Sequence, residues 1–180
     1  MEAILKKFAL PCCPATAYDT FVNHFAEWWP QETHSISAAN GRTPKSLFLQ
    51  PFEQGKVIET LPDGSMEIWG TVLSVQPLQK IEFAWHPGRP NKEATLLEAA
   101  FGMETDGTST VAIIHSGWHT LGDDAKAIAA EYSHDWDVIV GTHFIDACRN
   151  AKDVRVPTRP KPTVQRASWL GPIRQALHLT

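Results

Sequence analysis

Up to residue 118 the chain alternates between apolar and polar positions with two different periods, and each period predicts an element. "ILKKFAL" (4–10) repeats every two residues and predicts a first strand. In "CCPATAYDTFVNHFAEWW" (12–29), Ala17, Tyr18, Phe21, Phe25 and Trp28 recur at three- and four-residue spacing, which predicts a helix. Pro14 suits its first position and Pro30 ends it. Residues 31–44 are polar and loop-like. Strand-like runs follow at 45–51, 55–61, 66–75, 80–87, 93–104 and 109–118. Asp-Gly occurs twice between them, in "PDGS" (62–65) and at 106–107, the short signal for a hairpin. Together these runs predict an antiparallel meander.

Helical spacing returns at 123–150. Ala125, Ile128, Ala129, Tyr132, Trp136, Ile139, Val140, His143, Phe144 and Ala147 form one broad stripe. Asp123 and Asp124 stand at the end where the helix dipole favours negative charge, Arg149 and Lys152 at the other. At ~1.5 Å per residue this helix spans roughly 40 Å, enough to cross a sheet. Beyond Lys152 the chain is Pro-rich and basic, so a domain over 1–152 and an extended tail over 153–180 are expected. In the tail, Trp169, Ile173 and Leu177 fall four residues apart, an apolar strip that a second copy of the chain could receive in a homodimer, although Pro172 interrupts a helix there.

Within the strands, Ile81, Phe83 and Trp85 share one face of 80–87 and should point inward. Two other strands do not resolve. In 66–75 the inward set is either Trp69 and Leu73 or Ile68 and Val72; in 109–118 both Val111/Ile113/His115 and Ala112/Ile114 are largely apolar. Trp28 and Trp29 pose a separate problem. Neighbours on a helix point about 100° apart, so one buried stripe cannot take both. Trp28 continues the Phe21/Phe25 stripe, and Trp29 is expected to close one end of a cavity or pack under the following loop.

Composition adds one feature to this pattern. The chain is 43% hydrophobic and 20% charged, ordinary for a globular protein, but it holds seven Trp. Trp interiors often border a pocket, because the ring is apolar and the N–H needs a partner. Three cysteines (Cys12, Cys13 and Cys148) make no disulfide framework and point to a reducing, cytoplasmic compartment. The N-terminus lacks a signal-peptide pattern and no apolar run reaches the ~18 residues of a membrane span. The tail carries Arg155, Arg159, Lys161, Arg166 and Arg174 without an acid, leaving eleven of the sixteen bases against all twenty acids. An acidic body of that kind argues against a nucleic-acid surface.

Strand, helix, six-stranded meander and long C-terminal helix, in that order, resemble the helix-grip arrangement of the START-like (SRPBCC) superfamily. Residues 3–150 carry further marks of the branch related to the C-terminal domain of the heat-shock-chaperone ATPase activator (AHSA-type). These are "WWP" (28–30), "PFEQGKVIE" (51–59), "WGTV" (69–72), "IEFAWHP" (81–87), "GTSTVAIIHSGW" (107–118) and Trp136 in the last helix. A Gly pair is frequent in that branch where this chain has Gln54-Gly55, which should alter a local bulge. The chaperone-docking domain of that activator has no counterpart here, so its activity is not carried over. The resemblance implies an α+β helix-grip fold, a curved antiparallel sheet of six to seven strands around the C-terminal helix. It also implies a cavity between them. The candidates to line that cavity are Phe21, Phe25, Trp28, Trp29, Trp69, Phe83, Trp85, His115, Trp118, Tyr132, Trp136, Ile139 and His143. The competing reading is that these residues simply form a packed core.

Chemistry in the sequence is sparse. His115 is the most pointed polar residue, placed in an otherwise apolar strand. A buried neutral histidine with its N–H satisfied is the plain reading, a polar handle for a ligand the second, a general acid or base the third. "HSGWH" has the i, i+4 histidines of a zinc helix, but Gly117 and the strand context spoil that geometry, and no metal is expected. Ser116 is not in a nucleophile elbow, no Gly loop cradles a phosphate, and no cofactor is implied. Glu67 and Glu98 belong by default on the solvated face. The expected function is therefore a binding protein for a small, largely apolar molecule, rather than an enzyme. A cyclase- or hydrolase-like enzyme using His115, and an interaction module docking through the tail, are the alternatives.

Overall fold

The computed structural model of the protein describes residues 1–154; the tail strip expected at Trp169, Ile173 and Leu177 lies outside the described residues. Strand β1 (Ile4–Ala9) leads into α1 (Pro14–Asn23), with Pro14 opening the helix as its fixed φ favours. The single helix expected over 12–29 is two. At His24 the backbone leaves helical geometry (φ −117°, ψ 26°), and α2 (Phe25–Trp28) starts afresh. Trp29 is already extended (φ −69°, ψ 128°), the conformation that a following proline imposes.

The expected loop at 31–44 contains a further helical turn, α3 (Ile36–Ala39). The Ser35 hydroxyl accepts from the Ala38 N–H at 2.9 Å and caps it. Six strands follow: β2 (Ser46–Leu49), β3 (Lys56–Thr60), β4 (Met66–Gln76), β5 (Lys80–Trp85), β6 (Thr95–Met103) and β7 (Ser109–Ser116). All pair antiparallel in one seven-stranded sheet ordered β1-β7-β6-β5-β4-β3-β2, so the meander runs in sequence and β1 joins at the β7 edge.

Beyond β7 the chain runs through helical turns from Trp118 to Asn150, kinked at Gly122 (φ 57°, ψ −130°). It passes through 3₁₀ turns (Trp118–Asp124), α4 (Ala125–Val138), a π-helical turn (Ile139–Phe144) and α5 (Ile145–Asn150). A seven-stranded antiparallel sheet gripping a long C-terminal helix is the helix-grip arrangement.

The inner face of the sheet contributes Val57, Trp69, Val72, Ile81, Phe83, Trp85, Leu97, Ala99, Phe101, Val111 and Ile113 to a single core. From the helices come Phe21, Phe25, Trp28, Trp136, Ile139, Val140, Phe144 and Cys148. Ile81, Phe83 and Trp85 point inward as their alternation requires. In β7 the buried phase is Val111, Ile113 and His115. Strand β4 obeys neither of its two simple alternations. Its register slips against β3 between Val57 and Ile58 and against β5 between Val72 and Ser74, and Trp69 and Val72, one from each phase, both face the core.

The π turn has a similar effect on the last helix. It takes an extra residue per turn, and the buried positions after Trp136 are Ile139, Val140, Phe144 and Cys148. His143, on the expected inward stripe, is turned outward and exposed.

Candidate functional site

The aromatic residues separate into two halves of one interior. In the first, Phe21, Phe25 and Trp28 pack with Phe101 and Phe144. Ring centroids lie 4.9 Å apart for Phe21–Trp28 and for Trp28–Phe144, and 5.5 Å for Phe21–Phe144. The Trp28 N–H donates to the Phe21 carbonyl at 3.2 Å. This half is solid core.

The second half opens into a cleft of about 480 Å³. Three segments far apart in the chain enclose it: the 29–40 stretch with α3, the turn after β5 (Pro87–Arg89), and the outer face of α4. Of the expected lining residues, Trp29, Trp69, Trp85, Tyr132 and Ile139 are in its walls. Phe83, Trp118, Trp136 and His115 are buried outside the lining, and His143 is exposed.

Trp29 occupies the centre of this half. Its ring meets Trp69 (5.4 Å), Trp85 (5.8 Å) and Trp136 (6.1 Å), and its N–H donates to the His34 carbonyl at 2.6 Å, pinning the following loop. Both neighbouring indoles are buried because the chain stops being helical between them. Trp28 takes its direction from α2 and Trp29 from the extended backbone before Pro30.

His115 is fully buried and both its ring nitrogens are engaged. The Trp136 N–H donates to Nδ1 at 3.2 Å, so the ring proton sits on Nε2 and donates to Thr95 Oγ1 at 2.7 Å. The Thr95 hydroxyl donates in turn to the Trp85 carbonyl at 3.0 Å. Burial first, and the charge of Arg89 second, push its pKa down to about 3. The imidazole is neutral and has neither a free proton nor a free lone pair to offer a ligand.

The polar groups that do reach the cleft escaped the sequence reading. Glu59 is a fully buried carboxylate just behind the wall. It accepts from the backbone N–H groups of Ile36 and Ser37 (2.9 Å each), from the Ser37 hydroxyl, and from the Trp69 indole N–H at 2.9 Å. It thereby ties α3 and Trp69, two walls of the cleft, to β3.

His34 faces Asp135 across the rim, Nε2 to Oδ1 3.7 Å, while its Nδ1 contacts the Thr33 hydroxyl at 2.8 Å. Arg89 is held over Tyr132, guanidinium carbon to ring centre 5.8 Å. The turn that places it is fixed by buried His86, whose Nδ1–H donates to the Arg89 carbonyl at 2.9 Å and whose backbone N–H donates to the Trp69 carbonyl at 2.6 Å. Burial raises the Tyr132 hydroxyl above its ordinary pKa; the Arg89 guanidinium and the Trp85 N–H oppose the rise.

Two residues of the cleft lining each hold an N–H, Trp85 Nε1 and Arg89 Nε, that is buried without an acceptor. Most buried donors in native proteins are paired, so unpaired ones in a cleft mark a place for an external acceptor. A signal for Arg89 existed in the sequence, a cation alone in the Gly/Pro turn after an inward-facing "FAW", but nothing local connected it to Tyr132, 43 residues away.

No family model matches the chain, and no curated protein matches it. Solved structures do share its fold. Protein MLL2253 of Mesorhizobium loti aligns with a TM-score of 0.58 at 11% identity over 85% of this chain and 100% of its own. Protein BH1534 of Bacillus halodurans gives 0.57 at 13% identity over 82% and 97%. Txn09, an anthrahydroquino-γ-pyrone synthase complexed with SUM, gives 0.52 at 19% identity over 83% and 96%. At these identities the likeness is one of fold.

Proposed function

We propose that this chain is a small-molecule-binding protein of the SRPBCC kind, holding a largely apolar, aromatic ligand in the cleft between sheet, α3 and α4. The observation that carries the reading is the lining itself: Trp29, Trp69, Trp85 and Tyr132 face one cavity of about 480 Å³, and two lining residues each hold a buried N–H without an acceptor. A volume of that order suits a molecule of two or three fused rings. Membership of the AHSA-type branch, a ligand-binding domain ending near residue 152 and a cytoplasmic home are parts of the same proposal. The odd number of cysteines in the sequence, two of them adjacent, supports the last. A homodimer formed through the tail is an independent expectation of the sequence. Among the described residues, no helix is long and apolar enough to cross a membrane.

An enzymatic reading has one observation in its favour. Txn09, with the same fold, is a synthase; the His34–Asp135 pair at the rim, 3.7 Å apart and with the other ring nitrogen on the Thr33 hydroxyl, would have to rearrange to serve as a base. His115, the earlier candidate for that role, has both nitrogens occupied.

Native mass spectrometry of protein purified from its own host, with Trp fluorescence followed during gentle extraction, tests the proposal. A bound mass that leaves together with a shift in Trp emission supports it, and the spectrum also counts subunits. No bound mass, combined with no Trp response to a panel of fused-ring compounds, overturns it.

A further inference from the structure

Trp85, Arg89 and Tyr132 line the same cleft, with the Arg89 guanidinium carbon 5.8 Å from the Tyr132 ring centre. The one hydrogen bond formed there is long, Arg89 Nη2 to Tyr132 Oη at 3.5 Å, and Oη is its acceptor. No acceptor among the described residues takes the Tyr132 proton, the Trp85 N–H or the Arg89 Nε–H. Indole, guanidinium and phenol can together donate several hydrogen bonds, and the only acceptor among them is the phenol oxygen.

Charge points the same way. Arg89 has no carboxylate within salt-bridge distance among the described residues, and it is half-buried beside the Tyr132 ring. The acids of the cleft are at its rim, with Asp135 turned to His34 and Glu131 exposed. Arg89 is therefore the cation among these donors, while the nearby acids are Asp135, close enough to act on Tyr132, and the buried Glu59 behind Trp69.

We propose that Trp85, Arg89 and Tyr132 form a subsite for a carboxylate, so that the cleft binds an aromatic carboxylic acid with its anionic group against these three donors and its rings among Trp29, Trp69 and Trp85. This rests on the ligand-binding reading above and specifies its ligand. A carboxylate supplies two oxygens with lone pairs for at least three donors, and a charge-assisted contact with Arg89 is about twice as strong as a neutral one. The orientation follows: rings toward the indoles, carboxylate toward the turn after β5.

The test compares matched probes, 2-naphthoate against 2-naphthamide and anthracene-2-carboxylate against its amide, by Trp quenching and calorimetry at neutral pH. The acids should bind about tenfold or more tightly than the amides, a factor that one charge-assisted hydrogen bond can supply. In Arg89→Gln and in Tyr132→Phe the ratio of acid to amide affinity should shrink severalfold, whatever the change in amide affinity itself, with thermal melts confirming that both variants fold. Equal binding of acid and amide by the wild-type protein overturns the carboxylate subsite and leaves the cleft standing. An acid preference that both variants keep also overturns it. Failure of every probe, acid and amide alike, counts against the cleft itself and removes the subsite with it.

Discussion

Replacing Glu59 by Gln tests whether the buried carboxylate holds the cleft together. Four donors converge on Glu59: two backbone N–H groups, the Ser37 hydroxyl and the Trp69 indole. A carboxamide of the same size offers one oxygen, which can serve two of them, and sets its own NH₂ against the others. At about 1–3 kcal/mol for each buried donor left without an acceptor, two orphans cost about 2–6 kcal/mol. Part of this is offset, because the variant no longer buries a charge with no cation beside it among the described residues. A net loss of about 2–4 kcal/mol is expected. For a domain of this size, each kcal/mol shifts the melting temperature by about 2–4 °C, so Tm should fall by roughly 4–16 °C. Thermal and urea unfolding measure the loss. The ¹H–¹⁵N resonance of the Trp69 indole reports the local effect, since its exchange with solvent should accelerate. A variant melting within about 1 °C of wild type, with the Trp69 indole still protected, would show that the carboxylate is dispensable and the argument wrong.

Other perturbations bear on different parts of the fold. His115 has its folded pKa pushed down to about 3, below the ordinary value near 6.5, so it favours the native state above pH 6.5 and that contribution is lost as pH falls toward 3. Stability should therefore drop by at most about 1.4 kcal/mol per pH unit through this window, a component absent from the pH–Tm profile of His115→Gln. Gln54 sits at φ +67°, in the left-handed region that disfavours a side chain. Gln54→Gly should stabilise by up to about 1 kcal/mol in urea unfolding, less the extra entropy of the unfolded chain. Its neighbour Gly55 behaves oppositely, since a Cβ there would strike the carbonyl oxygens of Gln50 and Phe52; Gly55→Ala should lower the urea midpoint by an amount equivalent to about 2 kcal/mol or more. Trp29→Phe removes the bond to the His34 carbonyl and should cost about 1–3 kcal/mol in urea unfolding, with amide exchange rising through 31–35.

How much was legible in advance differs from element to element. The alternation of β5 placed Ile81, Phe83 and Trp85 inward without ambiguity, because pleating alone fixes which face a side chain takes. The two Asp-Gly turns and the spacing of Ala125, Ala129, Tyr132 and Trp136 likewise located the hairpins and the last helix. Strand β4 was illegible because its two register shifts depend on how β3 and β5 pair with it, which no residue within β4 encodes. His143 was misplaced for a related reason: a π turn inside a helix leaves the local apolar period almost unchanged while rotating everything after it.

Local sequence therefore determined the elements, their order and most of their inward faces, since propensity, capping and side-chain period act over a few residues. Tertiary structure alone decided the site. Glu59 meets its donors 10, 22 and 23 residues away, and Arg89 meets Tyr132 across 43. A buried group's partners are set by which segments the packed sheet and helix bring side by side, and desolvation, the effect that makes those partners matter, does not exist until the chain has folded.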